Sequence, residues 1–208
     1  MSGRRPNRRE VAAAETRREI LRAARRLFAA HGYPGTSLQQ IAEEAGVAVQ
    51  TIYSSVGSKA ALALALNDLI DEEAGVAQLG AGVLSETDPP QMIAKAVHLT
   101  RQVNERCGDL LQALLSAVPA EPDVAASFAD GMRRHETGIA AMTQRLAAQG
   151  ALRAGTTPEQ ATAAFAMMTS APSWQQLTQR AGWTFDQSEA WLTDSLTRLL
   201  LEPAPGGS

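Results

Sequence analysis

The chain has 208 residues, 45% of them hydrophobic but only 4% aromatic, and a formal net charge of −3. That length suits one large or two small domains with a sizeable core. An alanine- and leucine-rich composition without runs of Val, Ile, Thr and Tyr predicts an all-α fold. The charge is uneven: residues 1–60 carry ten Lys and Arg against five Asp and Glu, and the remainder nine against seventeen. The basic end is therefore the one suited to phosphates. The single Cys107 excludes an intrachain disulfide and fits a reducing cytoplasm. No stretch reaches the roughly 18 apolar residues of a membrane span, and the arginine-rich start lacks the apolar run of a signal peptide. A cytoplasmic location without a membrane partner is expected.

In chain order, residues 1–14 carry Arg4, Arg5, Arg8 and Arg9 around Pro6 without apolar periodicity, which predicts a disordered basic arm. Thr16 to His31 forms the first helix, with Ile20, Leu21, Ala24, Leu27 and Phe28 on one face, and Gly32 ends it. Ser37 followed by Gln40 is a capping-box pattern, after which Leu38, Ile41, Ala42 and Ala45 recur at helical spacing. Gly46 stands where a helix ends in the left-handed conformation, and Val47 can fold back onto the apolar face. A second short segment, Val49 to Val56, follows the turn with Ile52 and Val56 available for burial, which is a helix-turn-helix connection.

Ser58 caps a further helix carrying Leu62, Leu66, Leu69 and Ile70 on one stripe. The Gly- and Ser-containing stretch from Gly75 to Asp88 weakens it, and Asp88 with Pro89 and Pro90 opens the next helix. Helical segments are then expected at 90–106, 109–118, 122–149, 157–182 and 185–201. Thr157 with Gln160 and Thr184 with Gln187 cap the last two, and Pro172 kinks or splits the 157–182 segment. The Pro/Gly-rich end, 204–208, is expected to be a disordered tail.

The run GYPGTSLQQIAEEAGVAVQTIYSSVGSKAAL, from Gly32 to Leu62, resembles the DNA-binding domain of the TetR family, the tetracycline-repressor-like bacterial transcription regulators. The resemblance rests on an ordered set: a first helix ending in Phe28 and Gly32-Tyr33, then Gly35-Thr36-Ser37, Ile41-Ala42, Ala45-Gly46-Val47, Thr51-Ile52-Tyr53 and Ser58-Lys59. It implies a helix-turn-helix DNA-binding domain at 15–60 and a ligand-binding and dimerisation domain at 61–203. It also implies a repressor that binds a palindromic operator in double-stranded DNA as a homodimer, through the two C-terminal helical segments, and is released by a small-molecule effector. No cofactor is implied.

Carried over by the resemblance, Gln39, Val49, Gln50 and Tyr53 fall where base or groove contacts are made, and Ser37, Thr51, Tyr53 and Lys59 where phosphates are held. Gln50 has the donor and acceptor needed to pair with adenine, and Val49 can touch a thymine methyl. Two departures stand out. Ala48 replaces the usual capping Ser, and Ser54 and Ser55 replace aromatic or His residues, which removes stacking area and a phosphate partner.

Beyond residue 75 there is no Gly-rich phosphate loop and no nucleophile elbow, so neither an enzyme nor a catalytic residue is expected. His31, His98 and His135 lack the paired spacing of a metal site. Methionines and aromatics on several helices supply adaptable apolar surface. Of these, Met92, Phe128 and Met132, with His98 and His135, are the predicted effector lining, because their spacing on two helices lets them face one another. An effector among residues 90–150 is expected to act through the helix from Ser58 to Gly75, whose end near Gly75, Gly80 and Gly82 is the least rigid part of the link. The other readings are an effector-independent DNA-binding protein, and a helical enzyme or carrier with a structural helix-turn-helix.

Overall fold

The computed structural model describes residues 7–203. Among them ten α-helices run in order: α1 Arg8–His31, α2 Leu38–Ala45, α3 Val49–Ser55, α4 Lys59–Glu73, α5 Val76–Ser85, α6 Pro89–Ala117, α7 Pro122–Ala148, α8 Pro158–Met168, α9 Ala171–Gln175 and α10 Phe185–Leu200. A π-helical turn, Gln176–Arg180, follows α9. Extended pairing among the described residues is confined to one antiparallel bridge, Leu152 with Leu201, so the all-α expectation holds. No described helix is long and apolar enough to cross a membrane. The chain forms two compact units: the part up to Ile70 with Asp109–Ala129, and Asp71–Gly108 with the part from Asp130 on.

In the N-terminal unit, α1 begins at Arg8 and not near Thr16. Asn7 Oδ1 accepts from the Glu10 N–H at 2.9 Å, and Glu10 Oε2 accepts from the Asn7 N–H at 2.8 Å. That reciprocal cap, ahead of the strong helix formers Ala12 to Ala14, starts the helix two turns early. Arg8 and Arg9, expected in a disordered arm, form its first turn; Arg4, Arg5 and the 204–208 tail lie outside the described residues. Ile20, Leu21, Ala24 and Phe28 are buried as the periodicity required. A forked ion pair joins α1 to the end of α6: Arg25 Nε to Asp109 Oδ2 at 2.7 Å and Nη2 to Oδ1 at 2.8 Å. Burial pushes the Asp109 carboxyl up, but the two bonds and the charge of Arg25 outweigh it and leave the carboxyl below its ordinary range.

The C-terminal unit corrects two expected boundaries. The stretch after Gly75 is helical, because Gly75 at φ 65° absorbs the break between α4 and α5 and Val83 anchors α5 in the core. The segments expected at 90–106 and 109–118 are one helix: Gly108 has no Cβ to pack, but Cys107 and Leu110 beside it are fully buried, and burial outweighs one glycine's helix penalty. The expected split of 157–182 is present. Ser170 caps α9, and Pro172 sits in its first turn, where its missing N–H costs nothing.

The core here joins Met92, Ile93 and Val97 of α6, Ile139, Met142 and Leu146 of α7, Phe165 of α8, Trp174 of α9 and Leu192, Leu196 and Leu200 of α10. The buried Trp174 Nε1 donates to Thr100 Oγ1 at 3.3 Å, which donates to the Val97 carbonyl at 2.8 Å, so the indole is satisfied.

Two outcomes are expected. Phe165→Ala removes a ring that is 1% exposed and should destabilise the protein by about 3–5 kcal/mol in denaturant titrations. Asp109→Asn should cost on the order of 1 kcal/mol at neutral pH, since the pair is partly exposed. Because the native carboxyl is held low, this stabilisation is present above the ordinary carboxylate range and lost as pH falls through the lowered native value. Melting curves of wild type and Asp109→Asn should therefore converge in acid.

Candidate nucleic-acid interface

The helix-turn-helix is built by local chemistry. Ser37 Oγ accepts from the Gln40 N–H at 3.2 Å, and Gln40 Oε1 accepts from the Ser37 N–H at 2.7 Å, so the expected capping box opens α2. Gly46 closes it at φ 66°, ψ 32°, and the Val47 N–H returns to the Ala42 carbonyl at 2.9 Å. Only glycine takes that conformation without steric cost. α3 follows at once, and α1, α2 and α3 pack together over Ile41, Ala42 and Ile52, which are at most 2% exposed.

With those residues inward, the opposite side of α3 is free. Gln50 is exposed and Tyr53 is 52% exposed; Val49 and Thr51 are half-buried. Gln39 is exposed on α2, its amide donating to Glu43 at 3.0 Å. Ser37 is exposed, with its hydroxyl committed to the cap. Of the seven sequence-derived DNA candidates, six thus lie on α2, α3 or the residue before α2. Lys59, the first residue of α4, is engaged: its Nζ lies 4.1 Å from the centroid of the Tyr33 ring. Burial lowers the Lys59 pKa, opposed by the charge of Glu121.

Ala48 gives α3 no side-chain cap. The helix is held from its other end, where Arg17 Nη1 on α1 donates to the Ser55 carbonyl at 2.9 Å and places a cation at the negative end of the helix dipole. Arg26 Nε pairs with Glu44 Oε1 at 2.9 Å and ties α1 to α2. Arg17 carried no signal beyond lying off the apolar face of α1; its partner is 38 residues away.

The five effector candidates differ in their surroundings. Met92 is fully buried in the C-terminal core, His98 Nδ1 lies 2.8 Å from Glu189 Oε1, and Met132 is 43% exposed. His135 is half-buried, and burial lowers its pKa against the opposing charge of Glu136. Phe128 is half-buried and belongs to the N-terminal unit.

Ala48→Ser should stabilise the N-terminal unit by about 1 kcal/mol by supplying the absent cap. Gly46→Ala should cost about 1–2 kcal/mol from the left-handed backbone alone, since no atom stands within 4 Å of the added methyl. Thermal unfolding of both variants checks the pair.

Residues 20–66 match the sequence profile of a family described as bacterial regulatory proteins, tetR family. No curated protein sequence matches the chain as a relative. Among solved structures, a candidate transcriptional regulator from Saccharomonospora viridis in complex with choline is 22% identical, with a TM-score of 0.75 over 91% of this chain and 100% of that one. The TetR family transcriptional regulator PfmR from Thermus thermophilus is 23% identical, with a TM-score of 0.71 over 86% and 97%. NalD, the secondary repressor of the MexAB-OprM multidrug efflux pump in Pseudomonas aeruginosa, is 21% identical, with a TM-score of 0.70 over 92% and 98%. At these identities the likeness establishes the fold, while the profile match falls on the helices that form the helix-turn-helix, so that residues 20–66 are a DNA-binding domain of the tetR type.

Proposed function

We propose that the protein represses transcription by binding a palindromic operator as a homodimer and lets go when a small molecule binds its C-terminal helices. The observation that carries the DNA-binding part is the pairing of a buried inner side, Ile41, Ala42 and Ile52, with an outer side on which Gln39, Gln50 and Tyr53 are exposed. A helix presented in this way enters the major groove with its first turns on base edges. The Saccharomonospora protein holds choline and NalD is a repressor, which supports the effector and the sign of regulation. The effector is taken up within the C-terminal unit, where Met92 and His98 of α6 and Met132 and His135 of α7 stand.

The dimer is proposed to form through α8 and α10. Their inner sides fill the core, yet Met167 is 68% exposed, Trp191 46% and Leu199 47%. Large apolar side chains left outside on two packed helices suit a four-helix contact with a second copy. An operator with two half-sites about one turn apart requires such a fixed separation.

Single substitutions test this reading. Lys59→Ala should weaken binding to all sequences and flatten its salt dependence, because a phosphate contact releases counterions but reads no base. Gln50→Ala should relax preference at one position by about 1–3 kcal/mol; binding-site selection returning an unchanged motif would remove Gln50 from the reading set. Trp191→Glu should shift sedimentation toward monomer and abolish cooperative operator binding, and a variant that stays dimeric would exclude this interface. Met132→Trp should block induction while leaving operator affinity nearly unchanged, as read by retardation with and without inducer.

A further inference from the structure

Lys59 stands under two opposed demands. Packed over the Tyr33 ring, its ammonium is partly withdrawn from water, which disfavours the charge, while a nearby carboxylate favours it. The anion that the fold supplies is Glu121. The Lys59 Nζ lies 4.1 Å from the Tyr33 ring centroid, and the Tyr33 hydroxyl donates to Glu121 Oε1 at 2.6 Å. Tyr33 is 2% exposed, and its N–H donates to Ser116 Oγ at 2.9 Å. The Glu121 backbone is also fixed, since its carbonyl accepts the Ala125 N–H at 3.0 Å as α7 begins. All these residues belong to the N-terminal unit.

We infer that Glu121 is a positioning residue for DNA binding: its carboxylate competes with DNA phosphate for the Lys59 ammonium and so restrains the affinity of the reading head. This rests on Lys59 being a phosphate ligand, as proposed above. A carboxylate and a phosphate sharing one cation repel each other, so the carboxylate lowers phosphate affinity wherever the phosphate sits against Lys59. A purely structural Glu121 has a different requirement. The buried Tyr33 hydroxyl needs an acceptor, and an uncharged amide oxygen serves as well as a carboxylate. Charge and acceptor are therefore separable by one substitution.

The test is retardation of a random-sequence duplex by the full chain over a salt series, since a phosphate contact is independent of base sequence. Glu121→Gln should bind about three- to tenfold more tightly at low salt and with a steeper salt dependence, because Lys59 then releases its counterion in full. In a Lys59→Ala background the same substitution should give no gain. Circular dichroism melts of each variant confirm that the fold is kept. Equal or weaker binding by Glu121→Gln would overturn the inference, and so would an undiminished gain without Lys59, which would mark a general charge effect. If wild type retards no DNA, the regulator reading fails; if it does and Lys59→Ala changes neither affinity nor salt dependence, only Lys59's role as a phosphate ligand fails, and this inference with it.

Discussion

A single buried ring holds the reading head to the rest of its unit. Tyr33, one residue past the glycine that ends α1, tilts against Phe28 with ring centroids 5.2 Å apart, takes Ser116 on its N–H and Glu121 on its hydroxyl, and lies under the Lys59 ammonium. Burial first, and then the bond to Glu121 and that carboxylate's charge, push the phenol pKa up, so Tyr33 is a donor at any physiological pH. Contacts from α1, α4, the end of α6 and the approach to α7 converge on it. The position of the helix-turn-helix is thus set by groups far from it in sequence.

The same dependence holds for α3. With no cap of its own and only Ile52 fully buried, this seven-residue helix is too short to be stable alone. Its place comes from α1 and α2: the Gly46 turn sets its direction, and the Arg17 bond to Ser55 holds its far end. The exposure of Gln50 and Tyr53 is therefore a property of α1 as much as of α3. Because the long-range arginine holds the helix at its end, Gln50 and Tyr53 on its outer side stay exposed.

What was legible in the sequence follows this division between local and distant causes. The caps at Ser37, Thr157 and Thr184, the left-handed Gly46 and the break near Pro172 depend on residues three or four apart, and each formed as read. The early start of α1 was missed although its signal, Asn7 with Glu10, is equally local; the arginines around it suggested an arm. The continuity of α6 through Gly108 was not legible, because the burial of Cys107 and Leu110 that outweighs the glycine is tertiary. Glu121 was invisible as a partner of Tyr33, 88 residues away.

The C-terminal unit shows what an effector would have to displace. Arg101 on α6 reaches three carboxylates: Glu105 at 2.8 Å, Asp186 at 2.6 Å and Glu189 at 2.5 Å. Bonds to Glu105 and Glu189 and then Asp186 outweigh burial and hold its pKa further above the ordinary arginine value. Glu189 is shared, since its other oxygen takes His98. This network fastens the start of α10 to α6 while Trp191 and Leu199 remain exposed. His98 is therefore no idle ligand group, and a small molecule that used it would first have to match its bond to Glu189. Such a ligand would loosen the anchorage of α10 in the same step, because one carboxylate, Glu189, joins His98 to the Arg101 network that holds α10.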